Sequence, residues 1–257
     1  MMMAKGAFFL GLILAATGSQ AFADAKEDLQ TAVKKLAESA NYTWKSNTLG
    51  GFSDGPAEGQ TEKNGYTSYS LSAMDSTFPV FCKGEKTVIK TSTGWQTVKE
   101  VKKTLEDAGS PAFKPESFAL ARVRDFKLPA VQLTEIAATL RNVKKVDEGF
   151  TGDLSPDWAR QMITFRFPGS QTELTVNNPK GTIKVTVKDG MAVKYEINVK
   201  GMFRVIDEDR DVERSTVTEF TDIGTTKITV PDLAKKKLEF IEPPSEPATE
   251  PVKLGGT

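Results

Sequence analysis

Two stretches in the C-terminal half alternate between apolar and polar residues and flank a Lys-Asp-Gly turn. They cover residues 182–187 and 191–199. Alternation with a period of two predicts strands that have one buried and one solvent-exposed face. A two-residue loop would set Val185 opposite a lysine, whereas a three-residue loop sets Val185 opposite Val193 and keeps one apolar face. The pattern therefore predicts an antiparallel hairpin with a three-residue loop and its glycine at positive φ.

The remaining pattern predicts further short strands and two groups of helices. Apolar residues recur at Leu29, Val33 and Leu36, at the spacing of one helical face. Ser155 before a proline predicts an N-cap. Two central helices are predicted at 115–124 and 133–140. Strands are predicted at 41–48, 65–73, 78–82, 87–90, 94–98, 146–150, 163–167, 212–220 and 226–230.

The elements indicate one domain of about residues 24–240 of the 257. No repeat of solenoid length occurs along the chain. Residues 241–257 are rich in proline and glutamate, a composition typical of a disordered tail because it buries too little apolar surface. The expected class is α+β, with a strongly antiparallel sheet.

The N-terminus has the pattern of a secretory signal. Lys5 precedes an apolar run at 7–16, and Ala21-Phe22-Ala23 follows, which predicts cleavage after Ala23 and export to the periplasm. The alternative is a retained membrane anchor, but the run is shorter than the ~20 residues of a membrane span. Lipid anchoring would need a cysteine at the cleavage site, and the single cysteine is Cys82.

Composition removes several chemistries. The chain has no histidine, which excludes Ser-His-Asp and Cys-His catalysis and most zinc and copper sites. A formal net charge of zero gives no bulk attraction to nucleic acid. One cysteine allows no internal disulfide. We therefore expect none of these chemistries, no cofactor and no nucleic-acid partner. Paired carboxylates of the kind used in glycoside hydrolysis stay open, although nothing in the sequence nominates a particular pair.

Two local features are candidate sites. The run 207–211 is acidic, but an EF-hand loop would need Gly and Glu where Val212 and Thr218 stand. It is interpreted as a solvated turn, and no metal site is predicted. Cys82, next to Phe81, is interpreted as a small buried apolar residue.

Aromatic and aliphatic residues are abundant on the predicted strand faces. They either form a core packed under the helices, or line an apolar cavity left between a curved sheet and loosely packed helices. The sequence leaves both alternatives open.

The order of elements resembles the LolA-like superfamily, which includes the periplasmic lipoprotein carrier, RseB-type sensors and the mycobacterial LppX/LprG lipid carriers. The resemblance spans nearly all of residues 24–240. It is carried by turn and strand patterns: strand starts at Tyr42 and Tyr66, and the segments 93–96, 151–155, 187–191, 195–199 and 218–226 before Val230-Pro231.

The resemblance implies a curved antiparallel sheet that forms an incomplete (half) β-barrel lidded by helices. It further implies a protein that binds and carries a lipid or an acylated protein with no catalysis, so we expect no enzyme and no catalytic residue. We also expect a monomer that meets an envelope membrane protein. The alternative is a non-catalytic envelope structural, interaction or sensor module with a filled core. The lipoprotein carrier proper has a lid-locking arginine on an early strand, where this chain offers only Lys45. We expect one shared, cavity-lining face made of Trp44, Trp95, Ile183, Val185, Val193, Tyr195, Ile197 and Val199.

Overall fold

The computed structural model describes residues 17–39, 41–50, 57–109, 114–164, 176–205 and 208–240, and of residues 17–23 and 205 the backbone alone. Residues 1–16 of the predicted signal (1–23), the predicted tail at 241–257 and most of the strand predicted at 163–167 lie outside the described residues.

Six helices and eleven strands are found in the described part of the chain. The helices are α1 Thr17–Ala37, α2 Val98–Asp107, α3 Pro115–Asp125, α4 Pro129–Thr139, α5 Pro156–Ile163 and α6 Asp232–Glu239. The strands are β1 Asn41–Leu49, β2 Glu58–Glu62, β3 Thr67–Ala73, β4 Ser76–Lys83, β5 Lys86–Thr91, β6 Gly94–Thr97, β7 Arg141–Val146, β8 Gly149–Asp153, β9 Val176–Lys188, β10 Met191–Val205 and β11 Glu208–Thr221.

All strands join one antiparallel sheet in the order β6-β5-β4-β3-β2-β1-β11-β10-β9-β8-β7. The sheet is curved and does not close, since β6 and β7 remain as its two edges. Pairing of β1 with β11 joins the N-terminal and C-terminal halves at its centre. The predicted α+β class with an incomplete barrel is confirmed.

The turn between β9 and β10 differs from the prediction. Lys188 pairs with Met191, so the loop contains two residues, and the predicted three-residue loop is wrong. Asp189 (φ 53°) and Gly190 (φ 71°) both adopt positive φ. Positive φ at both central positions defines the type I′ turn, whose twist matches that of the flanking strands.

A β-bulge in β10 keeps the apolar side chains of the hairpin on one face. The sequence pattern predicted that a three-residue loop would do this. The register shifts between Ala192 and Lys194, so Val193 is an extra residue on β10. Val185 therefore pairs with Tyr195, and Ile183 pairs with Ile197. One inserted residue has the same effect on side-chain alternation as one more loop residue.

Helices α1, α4 and α5 pack on the concave face of the sheet. Leu29, Val33 and Leu36 of α1 are fully buried, as are Leu133 and Ile136 of α4. Two side chains of α1, Lys26 Nζ (3.1 Å) and Gln30 Nε2 (3.5 Å), donate to carbonyls at the end of α4. The predicted N-cap of α5 is confirmed, because the Ser155 hydroxyl accepts from the Trp158 amide.

Helix α6 covers part of the opposite, convex face. Ala234 and Leu238, one helical turn apart, are buried against Phe81 of β4 and Val88 of β5. The strand predicted at 226–230 is absent, and that segment leads into α6. The sheet is thus sandwiched between helices at its β4–β5 end.

Candidate functional site: a buried aromatic cluster on the concave face

The structure brings six of the eight predicted site residues into one core. Their side chains are at most 3% exposed, and they belong to the same cluster of contacting apolar residues. The six are Trp44, Ile183, Val185, Tyr195, Ile197 and Val199. Their apolar face is therefore packed, with α1, α4 and α5 over it.

Trp95 lies on the other face of the sheet, so the shared face predicted for it is wrong. Paired residues run from Trp44 through Gly59, Tyr69, Val80 and Ile89 to Gln96. Paired residues point to the same side and chain neighbours to opposite sides, which turns Trp95 away from Trp44. Its ring packs on Phe81 at 5.3 Å between centroids, beneath α6.

Val193 also departs from the predicted face. As the extra residue of the bulge it has no directly paired partner on β9, and its side chain is half-buried outside the core cluster. The alternation of buried side chains resumes at Tyr195.

The site centres on an aromatic cluster at the middle of the sheet. Phe126, at the C-terminus of α3, stacks on Trp44 (5.8 Å between centroids) and tilts against Tyr69 (4.5 Å). Phe220, which pairs with Trp44, contacts Tyr42 edge-on at 5.5 Å and Tyr195 at 6.0 Å. The pattern of residues 67–73 could have revealed Tyr69, since Tyr69, Leu71 and Ala73 alternate with serines. No local pattern singles out Phe126.

Trp44 occupies space that a glycine leaves open. An added Cβ at Gly59 would come within 2.3 Å of the Trp44 ring and 2.7 Å of the Ser68 carbonyl oxygen. The indole thus lies over the backbone of β2. Its Nε1–H is buried and has no hydrogen-bond partner among the described residues.

The hydroxyls of the cluster are neutral. Burial raises the pKa of Tyr42 and of Tyr195 to about 12, and burial also raises the pKa of Tyr69. Tyr195 donates to Gln132 Oε1 at 3.5 Å, and the Cys82 thiol lies 3.8 Å from the Tyr69 hydroxyl. The cluster therefore offers apolar surface and neutral polar groups, and its tyrosines carry no charge at physiological pH.

Helix α3 covers this cluster only thinly. Ala119 is its one buried residue, while Phe118, Leu120 and Val123 are half-buried against the core. By contrast, five residues of α4 are buried. The two central helices, predicted together as a cover, thus differ in how firmly they are packed.

A cleft of about 900 Å³ lies elsewhere, across β1, β11, β10, β9, β8 and β7. Its side chains come from a row of paired residues on the convex face that includes Ser215, Asn198 and Thr182. Of the eight predicted residues only Val199 lines it. The cleft is lined by both polar and apolar residues, and it does not coincide with the predicted apolar site.

The acidic run and the helices give no other candidate in the described chain. Asp209 accepts a two-pronged ion pair from Arg204 (2.9 and 3.1 Å), and no cluster of possible metal ligands occurs among the described residues. None of the described helices combines the length and the apolar character that a membrane crossing requires.

No family model matches the chain, and no curated protein is similar to it in sequence. Among solved structures, the chain is similar to the lipoprotein LppX of Mycobacterium tuberculosis (9% identity, TM-score 0.45), over 80% of this chain and 98% of LppX. It is also similar to LprF of Mycobacterium bovis (11% identity, TM-score 0.41), over 82% of this chain and 97% of LprF.

Proposed function

We propose that this protein is a non-catalytic, exported carrier that binds a lipid or an acylated protein between the concave face of the sheet and α3. The observation that carries this proposal is the uneven cover of that face. Helix α4 is firmly buried, whereas α3 leaves Phe118, Leu120 and Val123 half-exposed over a neutral aromatic cluster.

The ligand space would open by displacement of α3. Phe126 occupies the position between α3 and the Trp44–Tyr69 pair, and an acyl chain offers the same apolar contact. Moving α3 exposes far less core than moving α1 or α4, because the one buried residue of α3 is an alanine, whereas α1 and α4 bury large side chains such as Leu29 and Leu133 completely. The carrier is a monomer that meets its membrane-protein partner at the envelope.

A second function is favoured by a specific observation. Ile183, Val185, Tyr195 and Ile197 are at most 2% exposed and packed under helices, as in a closed interaction or sensor module. In that case the interior binds nothing, and the partner is a protein.

Titration with the fluorescent apolar probe N-phenylnaphthylamine separates the two functions. A carrier should bind the probe, and Phe126→Ala should tighten binding by removing the ring that occupies the space. Phe240→Ala, which truncates an exposed phenylalanine, is the matched control and should leave binding unchanged. If neither the wild type nor Phe126→Ala binds the probe, the carrier proposal is overturned.

Native mass spectrometry of protein purified from the periplasm tests the cargo. A lipid or acylated polypeptide should appear as added mass that is lost on delipidation. Protein that repeatedly carries no added mass would favour the closed module.

A further inference from the structure

The buried indole N–H of Trp44 has a chemical consequence for the ligand. Trp44 is 1% exposed, and its Nε1–H has no partner in the described structure. Folded proteins leave few buried donors unpaired, because such a group loses its hydrogen bond to water without a replacement. A ligand that brings an acceptor to this position would restore the missing bond.

The surroundings of Trp44 limit which acceptor fits. The ring lies over the Gly59 backbone on one strand and against Phe126 from the helical cover. Its aromatic neighbour Tyr69 keeps its proton, since burial raises the pKa of that hydroxyl. A carboxylate placed among these neutral rings would be a buried, unpaired charge, which is costly, whereas a carbonyl oxygen is a neutral acceptor.

We infer that Trp44 is a specificity-determining residue that donates to the ester or amide carbonyl of an acyl chain. The chain itself takes the place of Phe126 on the aromatic faces of Trp44 and Tyr69. The site thereby prefers acyl esters and amides over alkanes, which lack an acceptor, and over free fatty acids, which are charged. This inference rests on the proposed ligand-binding function.

Displacement of bound N-phenylnaphthylamine by three probes of similar length tests the preference: methyl decanoate, dodecane and decanoate. The wild type should bind the ester about fivefold more tightly than the alkane, the contribution of one hydrogen bond. Trp44→Phe keeps an aromatic ring and removes the donor, so it should abolish the ester-over-alkane preference. Trp95→Phe, on the opposite face, is the matched control and should retain it.

A measurement on the unaltered protein guards against a Trp44→Phe variant that does not fold. The chain has three tryptophans, so three indole N–H resonances are expected in a nitrogen-15 spectrum. Methyl decanoate should shift the Trp44 resonance downfield more than dodecane does, and the Trp95 resonance should stay in place.

The outcomes distinguish this inference from the function on which it rests. If no probe binds, the carrier proposal fails. If ester and alkane bind equally well, or if Trp44→Phe keeps the ester preference, the carrier proposal stands and the role of Trp44 is overturned. Tighter binding of decanoate than of the ester would likewise contradict a neutral acceptor.

Discussion

A substitution at Val185 tests whether the concave face is tightly packed or opens to water. It is 1% exposed and pairs with Tyr195 in the core. Val185→Glu would bury an unpaired carboxylate, and we expect a loss of at least about 3 kcal/mol in the free energy of unfolding. Urea denaturation measures this loss. Lys200→Glu, an exposed change on the same β10–β9 pair, should cost far less.

A Val185→Glu protein of near wild-type stability would show that this face opens easily to water. In that case N-phenylnaphthylamine binding by the variant decides the location of the ligand. Lost binding would place the ligand on the β9–β10 part of the face, and wild-type binding would exclude that part.

Gly59 tests the position of Trp44. A Cβ at this position would overlap the indole and the Ser68 carbonyl oxygen, and the second of these is backbone that moves little. We expect Gly59→Ala to lower the free energy of unfolding by about 1–3 kcal/mol, as overpacked cores do. Glu58→Ala, at an exposed position on the same strand, is the control. A neutral effect of Gly59→Ala would mean that the indole does not lie over β2.

At the scale of elements, α3 should be the least stably docked part of the helical cover. Only Ala119 of α3 is buried, whereas the β9–β10 ribbon pairs along almost its whole length. Few buried contacts give a low free energy of local opening. Amide hydrogen exchange should therefore be faster in α3 than in the ribbon and in α4. Equally slow exchange in all three would favour the closed module.

The docking of helix α6 on the sheet should weaken in acid. Glu239 accepts from the Tyr66 hydroxyl (2.8 Å) and from Lys83 (3.2 Å), and both bonds lower its pKa. For Glu100, burial raises the pKa, but the hydrogen bonds and the charge of Lys237 together with the hydrogen bonds from Thr97 outweigh it, and the net shift is downward. A carboxyl with a lowered folded-state pKa stabilises fully above its unfolded-state pKa and loses this contribution as the pH falls through the folded-state pKa.

The difference in Tm between wild type and Glu239→Gln should accordingly be largest at neutral pH and vanish in acid. Glu85→Gln, which makes the same substitution at an exposed turn position, is the matched control. A Glu239→Gln effect that is constant with pH would assign the role of Glu239 to packing.

The elements that sequence patterns identified are those with strong local periodicity. The hairpin alternation and the Ser155-Pro156 helix start were predictable, because each depends on neighbouring residues. The capping box of Thr97 and Glu100, which begins α2, was present in the sequence but was covered by the strand predicted at 94–98. Helix α6 was not predicted from the sequence, because only two of its residues, one turn apart, are buried and they make a weak periodic pattern.

Which residues share the face of the site depends on the register between paired strands, and local sequence patterns do not determine that register. Whether Trp95 shares a face with Trp44 is decided by five successive strand pairings, and an error of one residue in any of them reverses the answer. Likewise, the bulge at Val193 and a longer loop preserve the same apolar alternation. Only the pairing of Lys188 with Met191 distinguishes them.

At the scale of the whole molecule, we expect the fold to tolerate loss of residues 1–23, the segment that the sequence predicts to be a signal. Among the side chains of α1 that the structure describes, from Asp24 onward, the first buried one is Ala25, and Leu29, Val33 and Leu36 continue the buried stripe. The contacts of Lys26 and Gln30 with α4 also follow Ala23. Cleavage after Ala23 therefore removes none of these contacts.

We predict that expression in a Gram-negative host yields a soluble periplasmic chain that begins at Asp24, which intact mass and N-terminal sequencing would show. Because the α1 contacts with α4 and the sheet remain, this chain should fold to the same core. Ala23→Lys, which disrupts the small-residue cleavage pattern, should instead retain the full-length chain at the membrane. Recovery of uncleaved wild-type chain in the membrane fraction would contradict the predicted signal, and the apolar run at 7–16 would then be an anchor that holds the carrier at the membrane.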